Sequence, residues 1–118
     1  VEGMVGVGLL KGKVKDIIKD ETYKPYFMHK TGHWMGLDVH DVGNYKKKGK
    51  SRPLEEGMVF TVEPGIYVSQ ETDAPNKYKG IGIRIEDNIL ITKEGHHNFT
   101  RLVPKEINDI EMLMGESK

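Results

Sequence analysis

Residues 29–43, HKTGHWMGLDVHDVG, decide how the rest of the chain is read, because they gather three histidines and two aspartates into fifteen positions. Imidazole and carboxylate are the side chains that bind divalent metals and move protons near neutral pH. Here His29, His33 and His40 are interleaved with small, apolar and aromatic residues, the dressing of a cleft wall. From Trp34 to His40 the pattern has a period of two, with Met35, Leu37 and Val39 on one face and Asp38 and His40 on the other. That alternation predicts a strand with one buried side. His33 has the opposite parity to His40, so spacing alone does not bring them together; a bend at Gly32 or Gly36 is required.

Working outward, two later segments each set an acid at or within an apolar run. TVEPGIY carries Glu63, and GIGIRIEDN carries Arg84, Glu86 and Asp87. Residues 58–63 predict a strand in which Met58, Phe60 and Val62 face one way and Val59, Thr61 and Glu63 the other, with Pro64 and Gly65 ending its pairing. In the second segment Ile81, Ile83 and Ile85 share one face while Gly82, Arg84 and Glu86 share the other, so Arg84 and Glu86 are expected to point the same way on one strand, which continues through residues 88–92. Imidazole and carboxylate donors together make a hard to borderline set, suited to manganese, iron, cobalt or zinc rather than to copper(I).

The remaining sequence frames these segments. Residues 1–10 read as the tail of a helix running into a turn, and residues 13–22 as a short amphipathic helix with Val14, Ile17 and Ile18 on its apolar side, stopped by Lys24 and Pro25. Residues 43–53, GNYKKKGKSRP, read as a solvated basic loop, residues 71–79 as a polar loop, and KEGHHN as a turn in which His96 and His97 face solvent. Ile107, Ile110, Leu113 and Met114 have the spacing of a closing helix.

The 118 residues suit one domain, with no internal repeat. Eighteen basic and eighteen acidic residues cancel, so no overall field favours nucleic acid or an anionic membrane surface. The absence of cysteine excludes disulfides, thiolate metal sites and cysteine catalysis, and fits a reducing cytoplasm. No apolar run approaches the roughly 20 residues that span a bilayer. The chain begins at Val1 within an apolar helical pattern, which suggests a piece of something longer.

Taken in series, GHWMGLDVHDVG, TVEPGIY and GIGIRIEDN resemble the metal-dependent aminopeptidase P and prolidase family, and the first leans toward the aminopeptidase P branch. The resemblance covers nearly the whole chain, from the helical lead-in before Tyr26 to the tail near Met114. It implies an α+β fold, the second half of a pita-bread catalytic domain, with antiparallel strands and flanking helices, so that residues 1–118 form a single partial domain without a linker.

By the same resemblance His33, Glu63 and Glu86 are metal ligands, three of the five that hold two divalent ions, manganese first among them. In the family resembled, two such ions share a hydroxide that would attack the scissile carbonyl. His40 is the histidine that contacts substrate, His29 lines the pocket, and Arg84 and Tyr67 support the ligands from behind. The implied substrates are peptides with proline in the second position, and the intact enzyme is expected to be a cytoplasmic homo-oligomer that binds neither nucleic acid nor membrane.

The two further ligands of the family are aspartates that precede the histidine segment, and nothing here matches them, since Glu2, Asp16, Asp20 and Glu21 lie in helix and turn. This stretch alone is therefore expected to be inactive. A prolidase that cuts Xaa-Pro dipeptides is the nearest alternative among enzymes. A binding module without catalysis is the alternative of another class, against which the retention of His33, Glu63 and Glu86 argues.

Overall fold

A computed structural model describes residues 1–116. In chain order the elements are α1 (Glu2–Gly6), α2 (Val14–Lys19), β1 (Lys46–Lys47), β2 (Lys50–Ser51), β3 (Val59–Val62), β4 (Gly65–Tyr67), a 3-10 turn (Asn76–Tyr78), β5 (Gly82–Arg84), β6 (Asp87–Thr92), β7 (Gly95–Asn98) and α3 (Ile107–Glu116). They divide into two units, Val1–Lys30 with Gly65–Arg84, and Thr31–Pro64 with Ile85–Lys118.

The first unit is organised by apolar burial. Met4, Leu9, Leu10, Ile17, Tyr26, Val68 and Ala74 form its core, and full burial of a large apolar side chain contributes about 1.5–3 kcal/mol. Helix α2 turns Ile17 inward and leaves its predicted partner Ile18 exposed, so its apolar stripe is narrower than the spacing suggested. It ends at Lys19, with Asp20 as its C-cap, ahead of Pro25. Strands β4 and β5 pair antiparallel, with Gly65 opposite Arg84 and Tyr67 opposite Gly82. The Tyr67 N–H donates to the Tyr26 carbonyl (2.9 Å), which ties the lead-in of the histidine segment to β4.

The second unit is built on an antiparallel sheet in the order β3-β6-β7. Residues 31–35 run along the free edge of β3: Glu63 N–H donates to Thr31 O (2.7 Å), Thr61 N–H to His33 O (2.9 Å) and Met35 N–H to Val59 O (3.1 Å). Among the described residues of this unit the buried ones are Thr61 and Glu63, both polar. Ile107, Ile110, Leu113 and Met114 do lie on a helix, α3, yet all four are exposed.

Several predicted elements differ. The strand expected from Trp34 to His40 stops after Met35, because the chain folds back: Gly36 N–H donates to Asp38 O (3.2 Å) and Asp41 N–H to Trp34 O (3.0 Å). Leu37 and Val39 are exposed, so their alternation marks no buried face. The single strand expected through Arg84 and Glu86 is two strands in different sheets, β5 ending at Arg84 and β6 starting at Asp87. Pro64 ends β3, since it has no N–H to donate, but pairing resumes at once with β4 at Gly65. KEGHHN is mostly strand β7, a polar edge whose turn is confined to the residues before Gly95. The basic stretch forms a small exposed hairpin, β1 with β2. No helix among the described residues is long and apolar enough to cross a membrane.

Candidate metal centre

Sheet register assembles this site. Val62 pairs with Asp87 at the end of the β3–β6 ladder, so the next residue on each strand, Glu63 and Glu86, leaves the sheet from adjoining strand ends. The alternation along β3 puts Glu63 on the buried face with Thr61. On the other edge of β3, Trp34 bridges Phe60, which sets His33 level with Thr61. One donor atom from each of His33, Glu63 and Glu86 lies within 4.8 Å of the others.

The hydrogen bonds around the cluster fix its donors. His33 Nδ1 lies 2.9 Å from the Trp34 carbonyl oxygen. A carbonyl only accepts, so Nδ1 carries the proton and Nε2 is left with its lone pair when the ring is neutral. Nε2 stands 3.2 Å from Glu63 Oε1. Two acceptors facing each other this closely need a proton or a cation between them. Metal bonds of about 2.1 Å meeting near a right angle hold their ligand atoms about 3 Å apart, and a second hydrogen bond on a ligating histidine is the usual means of orienting it. The three residues thus fit a divalent ion in chemistry and in spacing.

Thr61, which sequence reasoning did not single out, stands between two of them. Its Oγ1 accepts the His33 N–H (3.0 Å) and donates to Glu63 Oε1 (2.9 Å). Its position two residues before Glu63 on the same strand face was the available signal.

His40 joins the cluster through the fold-back. Its ring lies 4.4 Å from that of His33, centroid to centroid, at an interplanar angle of 66°. Gly36 lies close to Asp41 in this bend: a Cβ there would sit 1.9 Å from Asp41 Oδ2, a side-chain atom that would have to swing aside. Trp34 anchors the base of the loop by stacking on Tyr45 (5.3 Å, 15°), whose hydroxyl accepts the Trp34 N–H. Asp38 is exposed in the loop.

His29, Tyr67 and Arg84 gather in the first unit. His29 Nδ1 donates to Lys30 O (2.8 Å), which leaves Nε2 to accept from the Arg84 guanidinium (3.3 Å). The Tyr67 ring meets the His29 ring edge-on (5.2 Å), and Arg84 lies 5.8 Å from its centroid. In the second unit Asp87, next to Glu86, accepts from the Thr100 hydroxyl (2.6 Å) and the Lys105 ammonium (2.9 Å). Those bonds, the Thr100 one first, pull its carboxyl down from 3.8 to about 2. The lysines of β1 and β2 are exposed, as are His96 and His97.

Metallopeptidase family M24 matches residues 5–93. The chain is 57% identical over 113 residues to the Xaa-Pro aminopeptidase of Haemophilus influenzae, covering 96% of this chain and 26% of that protein. It superposes on the aminopeptidase PepP of Pseudomonas aeruginosa with a TM-score of 0.93 at 48% identity, covering 99% of this chain and 27% of that one. Zinc-substituted Escherichia coli aminopeptidase P in complex with product gives a TM-score of 0.91 at 50% identity, over 99% of this chain and 26% of that one. The chain spans about a quarter of the length of the relatives it matches. Its fold is that of aminopeptidase P, and it belongs to metallopeptidase family M24.

Proposed function

We propose that residues 1–118 supply the metal-holding second half of the catalytic domain of an Xaa-Pro aminopeptidase, which hydrolyses the bond between an N-terminal residue and a following proline. The observation that carries this reading is the convergence of His33, Glu63 and Glu86 within 4.8 Å, in a chain 57% identical to a protein of that name. These residues are three of five ligands to two divalent ions. Manganese is our first choice for a set of one imidazole and two carboxylates. Bound there, such ions supply a nucleophilic hydroxide at neutral pH, by lowering the pKa of water toward about 7, and polarise the scissile carbonyl.

The chain's own residues divide the remaining work. His33 offers Nε2 because its Nδ1–H is committed to Trp34 O. Glu63 is held from the sheet side by Thr61. His40, whose ring lies beside that of His33, is assigned the hydrogen bond to the tetrahedral centre and the protonation of the departing proline nitrogen. The family resemblance assigns His29 to substrate binding; in the first unit its Nε2 is held as an acceptor by Arg84, with Tyr67 packed on the same ring. A cytoplasmic location and a homo-oligomeric assembly complete the reading.

The test is hydrolysis of Arg-Pro-Pro by the full-length protein that carries this chain. Activity should disappear on exhaustive chelation and return with manganese. Cleavage that survives complete metal removal, or none on any Xaa-Pro peptide after loading with metal, overturns the proposal.

A further inference from the structure

Among the described residues of the second unit, the most buried is a threonine beside the ligand cluster. Thr61 is 1% exposed. Its Oγ1 accepts the backbone N–H of His33 at 3.0 Å and donates its one proton to Glu63 Oε1 at 2.9 Å. That same carboxylate oxygen faces His33 Nε2 at 3.2 Å. The contacts close a circuit: Thr61 touches the backbone of one ligand and the carboxylate of another, whose donor atoms face each other.

We propose that Thr61 is a positioning residue for the metal centre, setting through its hydroxyl how Glu63 and His33 present their donor atoms. The inference rests on the reading of these residues as ligands. A glutamate has three rotatable side-chain bonds and sits here at the end of a strand, beyond the last rung of the ladder. A β-branched residue has one strongly restricted bond, and Thr61 lies within β3 with its N–H donated to His33 O (2.9 Å). Thr61 is therefore the stiffer partner, and Glu63 the longer side chain whose Oε1 it helps to orient. One hydroxyl proton on Oε1 also restricts the directions from which that oxygen can meet a cation. Outer groups that orient ligands in this way typically change metal affinity 10- to 100-fold when removed.

The alternative is that Thr61 only satisfies the His33 N–H and fills space. Cobalt(II) titration of the chelator-stripped full-length protein separates the two, because the visible ligand-field spectrum reports coordination geometry as well as affinity. Thr61→Val, which keeps shape and loses the hydroxyl, should weaken cobalt binding about 10- to 100-fold and alter the spectrum. Thr61→Ser should restore both to within about threefold, by the same reasoning. If the valine variant does not fold, Thr61→Ala carries the same expectation. Unchanged cobalt affinity and spectrum in the folded variant without the hydroxyl overturn the proposal, and so does a serine variant as impaired as valine, since packing would then be the cause. Failure of the underlying reading looks different: the unaltered protein would bind no cobalt, or His33→Ala would bind it equally well, and the role of Thr61 would fall with the site.

Discussion

Val62 and Asp87 form the final rung of the β3–β6 ladder, and the residues that follow them outward, Glu63 and Glu86, carry the two carboxylates of the candidate metal centre. Two carboxylates brought this close repel by about 1–4 kcal/mol, depending on solvent access. A divalent cation turns that repulsion into attraction. The sheet register thus holds in place a pair of charges whose natural complement is a metal ion, with His33 Nε2 as the third donor.

Ligand and substrate roles should separate in variants of the full-length protein. His33→Ala and Glu86→Ala each remove a donor and are expected to lower bound metal and activity together. His40→Ala should leave metal content nearly intact and slow turnover by about 10²- to 10⁴-fold, the range for losing a proton-transfer group. Elemental analysis alongside Arg-Pro-Pro kinetics reads both. A His40→Ala protein stripped of metal, or a Glu86→Ala protein with both ions and full rate, contradicts the division of labour.

The 118-residue chain by itself should show negligible Xaa-Pro hydrolysis. On the proposed set of five ligands, the three carried here would leave a metal pair short of the anionic groups needed to hold it, because carboxylates supply most of the charge that offsets the desolvation of such ions. Any turnover that persists in Glu86→Ala marks a contaminating peptidase. Turnover by the chain alone that this change abolishes would refute the expectation.

Acid should expose the contribution of Asp87. Its folded pKa, about 2, lies below the ordinary 3.8 because the Thr100 hydroxyl, Lys105 and Asn98 bind the charged form. A depressed carboxylate pKa contributes stability that is complete above the unfolded value and is lost as pH falls through the folded one. The window is therefore about pH 4 down to about pH 2. Both partners of the ion pair are about a quarter exposed, so Asp87→Asn should cost about 1 kcal/mol at pH 6 and much less near pH 2. Urea unfolding of metal-free protein at several pH values measures the gap. A gap of equal size at both ends would show that charge is not its source.

The donor set was legible through three motifs read in series and their family resemblance, since a lone histidine or glutamate marks no ligand by its type. The period of two along β3 correctly placed Thr61 and Glu63 on one face. The fold-back after Met35 was legible only as a condition, the bend at Gly32 or Gly36 that a meeting of His33 and His40 requires; the pattern itself spoke for a strand, since Leu37 and Val39 alternate as they would in one and a periodic pattern carries no information about its pairing partner. The break between Arg84 and Glu86 was hidden for a related reason: Ile83, Ile85, Ile89 and Ile91 keep one rhythm across it, with no proline or glycine to mark the change of sheet. Strand β7 lacks apolar alternation altogether, because it is a polar edge held by backbone pairing to β6.

Gly32 offers the sharpest test of how the histidine segment is seated. A Cβ at this position would stand 2.1 Å from the Thr61 carbonyl oxygen and 3.2 Å from its carbon, both backbone atoms that cannot swing aside. Residues 31–35 would have to draw away from β3, loosening the bonds from Glu63 N–H to Thr31 O (2.7 Å) and from Thr61 N–H to His33 O (2.9 Å). Overpacking and two weakened hydrogen bonds together cost about 1–3 kcal/mol. Gly32→Ala should therefore lower the melting temperature of metal-free protein by several degrees, and it should weaken cobalt binding, because His33 moves away from Glu63. Gly3→Ala is the control: no atom lies within 4 Å of a Cβ built there, and the position is helical, so the change should be neutral or stabilise by up to about 1 kcal/mol. If Gly32→Ala melted and bound metal like the unaltered protein, residues 31–35 could not be paired to β3 as described, and the placement of His33 in the centre would lose its support.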